Sequence, residues 1–259
     1  MNDYRKLDRQ PLRFALAEFR FSTVMDIQAY IPKLQEELRR QYPIPDKKTE
    51  QRVRIEPGGI ATSMLEQWSF VSSNRKSAIG INQDRLIYYT AEYPRFKGFS
   101  NACEFALSVL ESIVEPSLIL RIGLRYGDLV IIEDGEKATD FVDPHFTSPS
   151  CASQLGNVQH QRSETYVSTK LGGLAIRTLY GVHSLSCLPD IEDLPIAIDV
   201  NEEPSERIVL DFDHFWEPKG ESTDFETSKV LLTLESLHDT SRAAFWKVTT
   251  DYARNEKWA

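Results

Sequence analysis

The sequence predicts an α+β fold: a mainly antiparallel sheet with three helices packed on one face. Three observations carry this. Apolar residues alternate with period two in several short blocks, which is the strand signature. Three other stretches place apolar residues three and four apart, the stripe of a helix that buries one side. The strand blocks follow one another in runs, with few helices between them, which favours hairpin pairing over a parallel βαβ sheet. The expected order is β-α-β-β-β-α-β, then β-β-β-β-α.

Residues 1–11 are polar and end in Pro11, so they read as a loose arm. In Leu12–Ser22, Phe14, Leu16, Glu18 and Arg20 share one face; Ala15, Ala17, Phe19 and Phe21 share the other. Asp26 stands where a helix N-cap is expected. Ile27, Ile31, Leu34, Leu38 and Tyr42 form the stripe of that helix, with Pro32 in its first turns and Pro43 ending it. Gln51–Glu56, Gln67–Ser73, Ala78–Ile81 and Leu86–Tyr93 read as strands, with turns at Pro57-Gly58-Gly59 and Asn82-Gln83-Asp84. Ser100 is the expected cap of a second helix, carrying Ala102, Phe105, Ala106, Val109, Leu110 and Ile113 and stopped by Pro116. Leu118–Ile132 is a long β-rich run. The polar stretch from Glu133 to about Ser163 has weak periodicity, and so long an irregular segment is often functional or mobile. Strands are expected again at Glu164–Leu171, Leu174–Val182, Leu194–Val200 and Arg207–Phe215. A helix from about Phe225 to Tyr252 carries Leu231, Leu234, Leu237, Phe245 and Val248 on its stripe.

The 259 residues read as a single α+β domain, 1–259, with 12–132 and 164–259 as its candidate subdomains joined by 133–163. Lys and Arg number 30 and Asp and Glu 39, a formal net charge of −9. The chain is too apolar and aromatic for disorder, has no apolar run long enough to cross a bilayer, and lacks the overall basic excess of many nucleic-acid binders. Nucleic acid is therefore disfavoured, although arginines at 20, 52, 54, 121 and 125 gather in the first half while acids crowd 190–226. Cys103, Cys151 and Cys187 are odd in number and have no C-x-x-C spacing, which argues against both a disulfide framework and a structural zinc site. The charged start Met1–Lys6 is followed by no apolar stretch, so a cytoplasmic location is expected.

Three segments carry a resemblance. They are Pro11-Leu12-Arg13-Phe14-Ala15-Leu16-Ala17-Glu18-Phe19-Arg20-Phe21, the strand Arg121-Ile122-Gly123-Leu124-Arg125-Tyr126, and Val209-Leu210-Asp211-Phe212-Asp213 ahead of Leu234, His238, Phe245 and Val248. Together they resemble an uncharacterised, sporadically distributed prokaryotic family of about 250–270 residues, over essentially the whole chain. Gly127-Asp128 stands where members of that family usually carry Ile-Asn. The resemblance implies no activity. Its patchy distribution implies a gene on a mobile or defence-associated locus.

Four constellations have the residue types for chemistry. Arg121, Gly123 and Arg125 share a strand face, and with Arg20 they form a candidate anion site; the same pattern suits a cross-strand ion-pair ladder, Glu18 with Arg125 for instance. Gly123 between the two arginines suggests close approach of a backbone or a ligand. Asp199, Asp211 and Asp213 form a candidate oxygen-ligand metal set, or else a solvated acidic face. Asp140, Asp143 and His145 offer a second metal set, or a turn. His238 sits on an apolar helix stripe, where histidine usually serves the core. Trp246 and Trp258 are candidate partner-docking aromatics. Phosphate loops, dinucleotide fingerprints, zinc-protease and nucleophile-elbow motifs are all absent from the sequence.

The leading expectation is a non-enzymatic interaction or accessory protein, with a protein partner encoded nearby in a defence or toxin–antitoxin-like locus. A small-ligand or nucleotide sensor with an arginine-lined site ranks second, and a metal-dependent hydrolase or nuclease third. No cofactor is expected, and a homo-oligomer stays open.

Overall fold

A computed structural model describes residues 4–56, 59–148, 150–191, 193–199, 203–220 and 222–259; for 50–56, 59–64 and Ser150 it describes backbone only. It is an α+β structure with one large antiparallel sheet. β1 (Leu12–Phe21) and β6 (Leu118–Ile131) lie side by side in its middle. Outward from β1 run β5 (Arg85–Thr90), β4 (Ser77–Ile81), β3 (Gly59–Val71) and β2 (Ile44–Glu56). Outward from β6 run β9 (Ser205–Trp216), β8 (Gly172–His183) and β7 (His160–Ser168), while the short β10 (Thr223–Asp224) also pairs with β6. The β6–β9 ladder therefore joins the two strand blocks into one sheet.

The observed elements differ from the expected ones in extent and in place. Four strands separate the first two long helices, and the first two of them, 44–56 and 59–71, form one long hairpin of which the Gln51–Glu56 alternation is only the tip. Residues 194–199 form no strand, and Val200 lies outside the described residues. Pro195 lacks the N–H that a ladder needs. Leu194, Ile196 and Ile198 instead pack on the outer face of the sheet against Phe14, Ile87 and Tyr89.

α1 (Ile31–Leu38), α2 (Arg95–Val114) and α5 (Thr227–Val248) bury their stripes on the inner face. Leu34 and Leu38, then Phe99, Cys103 and Leu107, then Leu234 and Leu237 meet Ala15, Ala17, Phe19, Phe21, Leu124 and Tyr126 in one cluster. Asp26 makes no side-chain cap. Ile27–Tyr30 is a 3-10 turn instead, and the α-helix restarts where Pro32 needs no N–H partner. α2 starts at Arg95, ahead of the expected cap Ser100. α5 stops at Val248, where extended Thr249 bridges Val142. The stretch 133–159 is not structureless: it holds α3 (Ala138–Phe141), a 3-10 turn at Pro144–Phe146 and α4 (Ser150–Ser153). On the outer face, residues from 185–191 and 194–198 pack on the sheet, with Leu188 against Leu129, Leu179 and Val209.

Candidate functional site

Strand alternation sends consecutive side chains to opposite faces of the sheet. Along β6, Arg121, Gly123 and Arg125 point outward, and Leu124, Tyr126 and Asp128 point under the helices. The outward arginines are matched by carboxylates. Arg20 and Arg121 stand opposite each other across β1 and β6, with Arg20 opposite Arg85 on β5. Glu18 takes Arg20 at 2.7 Å and Arg85 at 3.2 Å, and Arg121 reaches Glu217 at 2.8 Å while lying over the Phe215 ring. Arg125 does not pair with Glu18. It binds Asp211 at 2.7 Å and Asp190 at 2.8 Å. Burial opposes its charge, but the hydrogen bond to Asp190 and the pull of Asp211 outweigh it and raise its pKa. Gly123 is not a close approach either, because a β-carbon there would sit 3.7 Å from Glu18 in ordinary contact.

The three aspartates of the first metal set are not brought together. Asp211 is buried and shared between Arg125 and Arg177, Asp213 faces Arg177 at 3.5 Å, and Asp199 is exposed and paired with Lys76. Asp140 and Asp143 serve the backbone instead, accepting from the N–H groups of Lys137 and His145; His145 also bonds Asp143 at 2.7 Å. Among the described residues, no three His, Cys, Asp or Glu side chains gather closely enough to hold a metal ion. The side chains of Arg52 and Arg54 lie outside the described residues. Trp258 is buried, packed on Phe141 and Phe245, and is thus a core residue rather than a docking aromatic. Trp246 stacks on Tyr4 at 5.0 Å and lines a cavity.

That cavity is the most distinctive site in the molecule. It measures about 340 Å³ and lies between the N-terminal arm, the start of α2, α5 and the inner face of β6. The arm is tied down over it. Arg242 donates to the Tyr4 carbonyl, Arg95 to the Leu7 carbonyl at 3.2 Å, and the amide of Arg9 to the Trp258 carbonyl. Tyr93, Phe96, Tyr126, Phe212, Phe245 and Trp246 provide aromatic walls.

A buried polar chain runs through one wall. The hydroxyls of Tyr93 and Tyr126 lie 3.0 Å apart, Tyr126 is 2.8 Å from His238 Nδ1, and Phe96 stacks flat on the imidazole at 4.0 Å. Burial pushes the Tyr93 phenol up to about 12 and the Tyr126 phenol well above its ordinary value, so both keep their protons. Burial first, and Arg242 second, lower His238 to about 4. The imidazole is neutral at pH 7, and the chain passes one proton per link in either direction, ending in a donor at His238 Nε2 or at the Tyr93 hydroxyl.

Asp128 is 3% exposed, lines the cavity, and has no hydrogen-bond or ion-pair partner among the described residues. Burial, and secondarily the charge of Asp211, push its carboxyl up to about 8. Such a group is normally paired or absent. At the mouth, Arg5, Arg95 and Arg242 bond to carbonyl oxygens and to Asn255 but to no carboxylate among the described residues. Arg95 also holds a left-handed backbone (φ 69°), a conformation that is costly for a residue with a β-carbon.

Sequence reasoning passed over this pocket. In the sequence Asp128 stands out only within Gly127-Asp128, the pair found where the resembled family usually carries Ile-Asn. Its signal was a lone carboxylate sharing a strand face with Leu124, Tyr126, Val130 and Ile132. Gly127 beside it does require glycine, because a β-carbon would fall within 2.3 Å of two atoms of the Phe14 ring. No model of a known protein family matches the chain, and no curated protein matches it.

Proposed function

We propose that this protein binds a small organic ligand in the cavity under its N-terminal arm and acts as a sensor or carrier rather than as an enzyme. The observation that carries this is Asp128, a buried carboxyl with no hydrogen-bond or ion-pair partner among the described residues that faces an aromatic-walled space. Its oxygens border the cavity rather than being sealed in the core, so a polar group of a ligand can reach them. The cavity volume lies at the lower end of the range of about 300–1,000 Å³ typical of ligand pockets. The arm supplies a way to couple occupancy to a surface, since its anchors Arg95, Arg242 and Trp246 all line the cavity. An accessory role toward a protein partner is compatible with this reading, with the arm as the element that reports occupancy.

The test is a fluorescence titration with 8-anilinonaphthalene-1-sulfonate, an aromatic anion, on the wild type and on Leu12→Trp, which fills the cavity from β1. Saturable binding by the wild type, weakened at least about tenfold by the variant, is expected. No saturable signal, or equal binding by both, sinks the reading.

A further inference from the structure

We infer that the cavity takes a nucleoside monophosphate, with its base held between the aromatic walls against Asp128 and its phosphate at Arg95 and Arg242. This rests on the ligand-binding reading above and names the ligand class.

The argument comes from what each part of the cavity leaves unsatisfied. The walls offer flat rings, of which Phe96 and His238 already stack on each other. The floor offers a carboxyl that needs a partner with hydrogen-bonding atoms on its edge, which a plain hydrocarbon ring lacks and a nucleobase has. A protonated carboxyl both donates and accepts, and so matches a base edge with a donor beside an acceptor. The mouth offers the guanidinium groups of Arg95 and Arg242, whose side-chain hydrogen bonds among the described residues go to backbone carbonyls, with the exposed Asp8 near Arg95. Two arginines that line one cavity suit a phosphate.

The two needs are also apart in space. Asp128 is deeply buried while Arg5 is exposed and Arg95 and Arg242 are half-buried. No arginine is close enough to Asp128 to pull its carboxyl down. A nucleotide, whose sugar separates base from phosphate, spans this separation. The volume suits one nucleotide rather than a dinucleotide.

Isothermal titration with AMP, GMP, CMP and UMP tests the inference, with the matching nucleosides, ribose 5-phosphate and phenyl phosphate as controls. At least one nucleotide is expected to bind, at least about tenfold tighter than its nucleoside and than ribose 5-phosphate. Asp128→Leu, an apolar replacement of similar size, is expected to weaken that nucleotide at least about tenfold and to leave phenyl phosphate unchanged. Arg242→Met is expected to weaken the nucleotide at least about tenfold more than it weakens the matching nucleoside. If no nucleotide binds, or binding is indifferent to Asp128→Leu, the inference is overturned. Saturable binding of the anilinonaphthalene probe alongside that failure overturns only the ligand class; failure of both removes the pocket reading as well.

Discussion

Arg125 and Asp128 lie three residues apart on one strand and face opposite sides of the sheet, and only one of them is neutralised. Arg125 is clamped by Asp190 and Asp211 under the covering segment, whereas Asp128 faces the cavity with no partner among the described residues. The first arrangement is the closed polar network of a structural face. The second leaves a hydrogen-bonding need open, and the functional account rests on that difference.

Asp128 gives the protein a distinctive pH dependence. Its folded-state pKa of about 8 lies above the ordinary 3.8, so the native state keeps a proton that the unfolded chain has released. The contribution to stability is full below about pH 4 and is lost as pH rises toward 8. His238, lowered to about 4, acts the other way, but only below about pH 6.5. Asp128→Asn is therefore expected to be more stable than the wild type at pH 7.5 by about 2–4 kcal/mol. In urea melts the two should converge toward pH 4. A constant difference across this range would count against the account.

Asp211 is the keystone of the outer face, shared by Arg125 and Arg177 at 1% side-chain exposure. Asp211→Ala removes one partner and leaves Arg125 buried with only Asp190, a change expected to cost about 3–5 kcal/mol. Exposed Asp199→Ala, which breaks only the pair with Lys76, is expected to cost less than about 1 kcal/mol. Chemical denaturation of the two variants checks this; equal effects would contradict the assignment of Asp211 to a load on the fold.

Trp258 fills a cluster with Phe141 and Phe245. Trp258→Ala is expected to cost about 3–5 kcal/mol, as large-to-small changes in a packed core do. Its fluorescence in the wild type should be blue-shifted and shielded from iodide. A quenchable, red-shifted Trp258 would restore it as a surface aromatic.

His238 is expected to titrate near 4 by NMR in the intact protein. Phe96 stacks on the ring, Tyr126 bonds its Nδ1, and Arg242 on the same helix adds positive charge. Arg242→Met should raise the midpoint while burial keeps it below 6.5. A wild-type midpoint at the ordinary value would mean that the wall of the cavity is open to water.

Much of the architecture was legible because period and polarity report it directly. The faces of β1 follow from the alternation of Phe14, Leu16, Glu18 and Arg20 with Ala15, Ala17, Phe19 and Phe21. The strand expected at Leu194–Val200 misled because an apolar cover strip lying on a sheet, here Leu194, Ile196 and Ile198, has the same pattern as a strand within it. The outer-face arginines were visible as a group, but their partners were not: Asp190 comes from a distant segment and Asp211 from a neighbouring strand, and sequence spacing cannot register either pairing. The cavity was hidden for the same reason, since its lining comes from the arm, β6, α2 and α5, which only the fold brings together.

The most direct measurement is a carbon-13 NMR titration of the aspartate side-chain carboxyls, with the Asp128 signal identified by its loss in Asp128→Asn. The account predicts a midpoint near 8 in the ligand-free protein, far from the ordinary 3.8. A midpoint near 4 would mean that Asp128 is hydrated or already partnered, and would contradict the claim that the cavity holds an unsatisfied carboxyl waiting for a ligand.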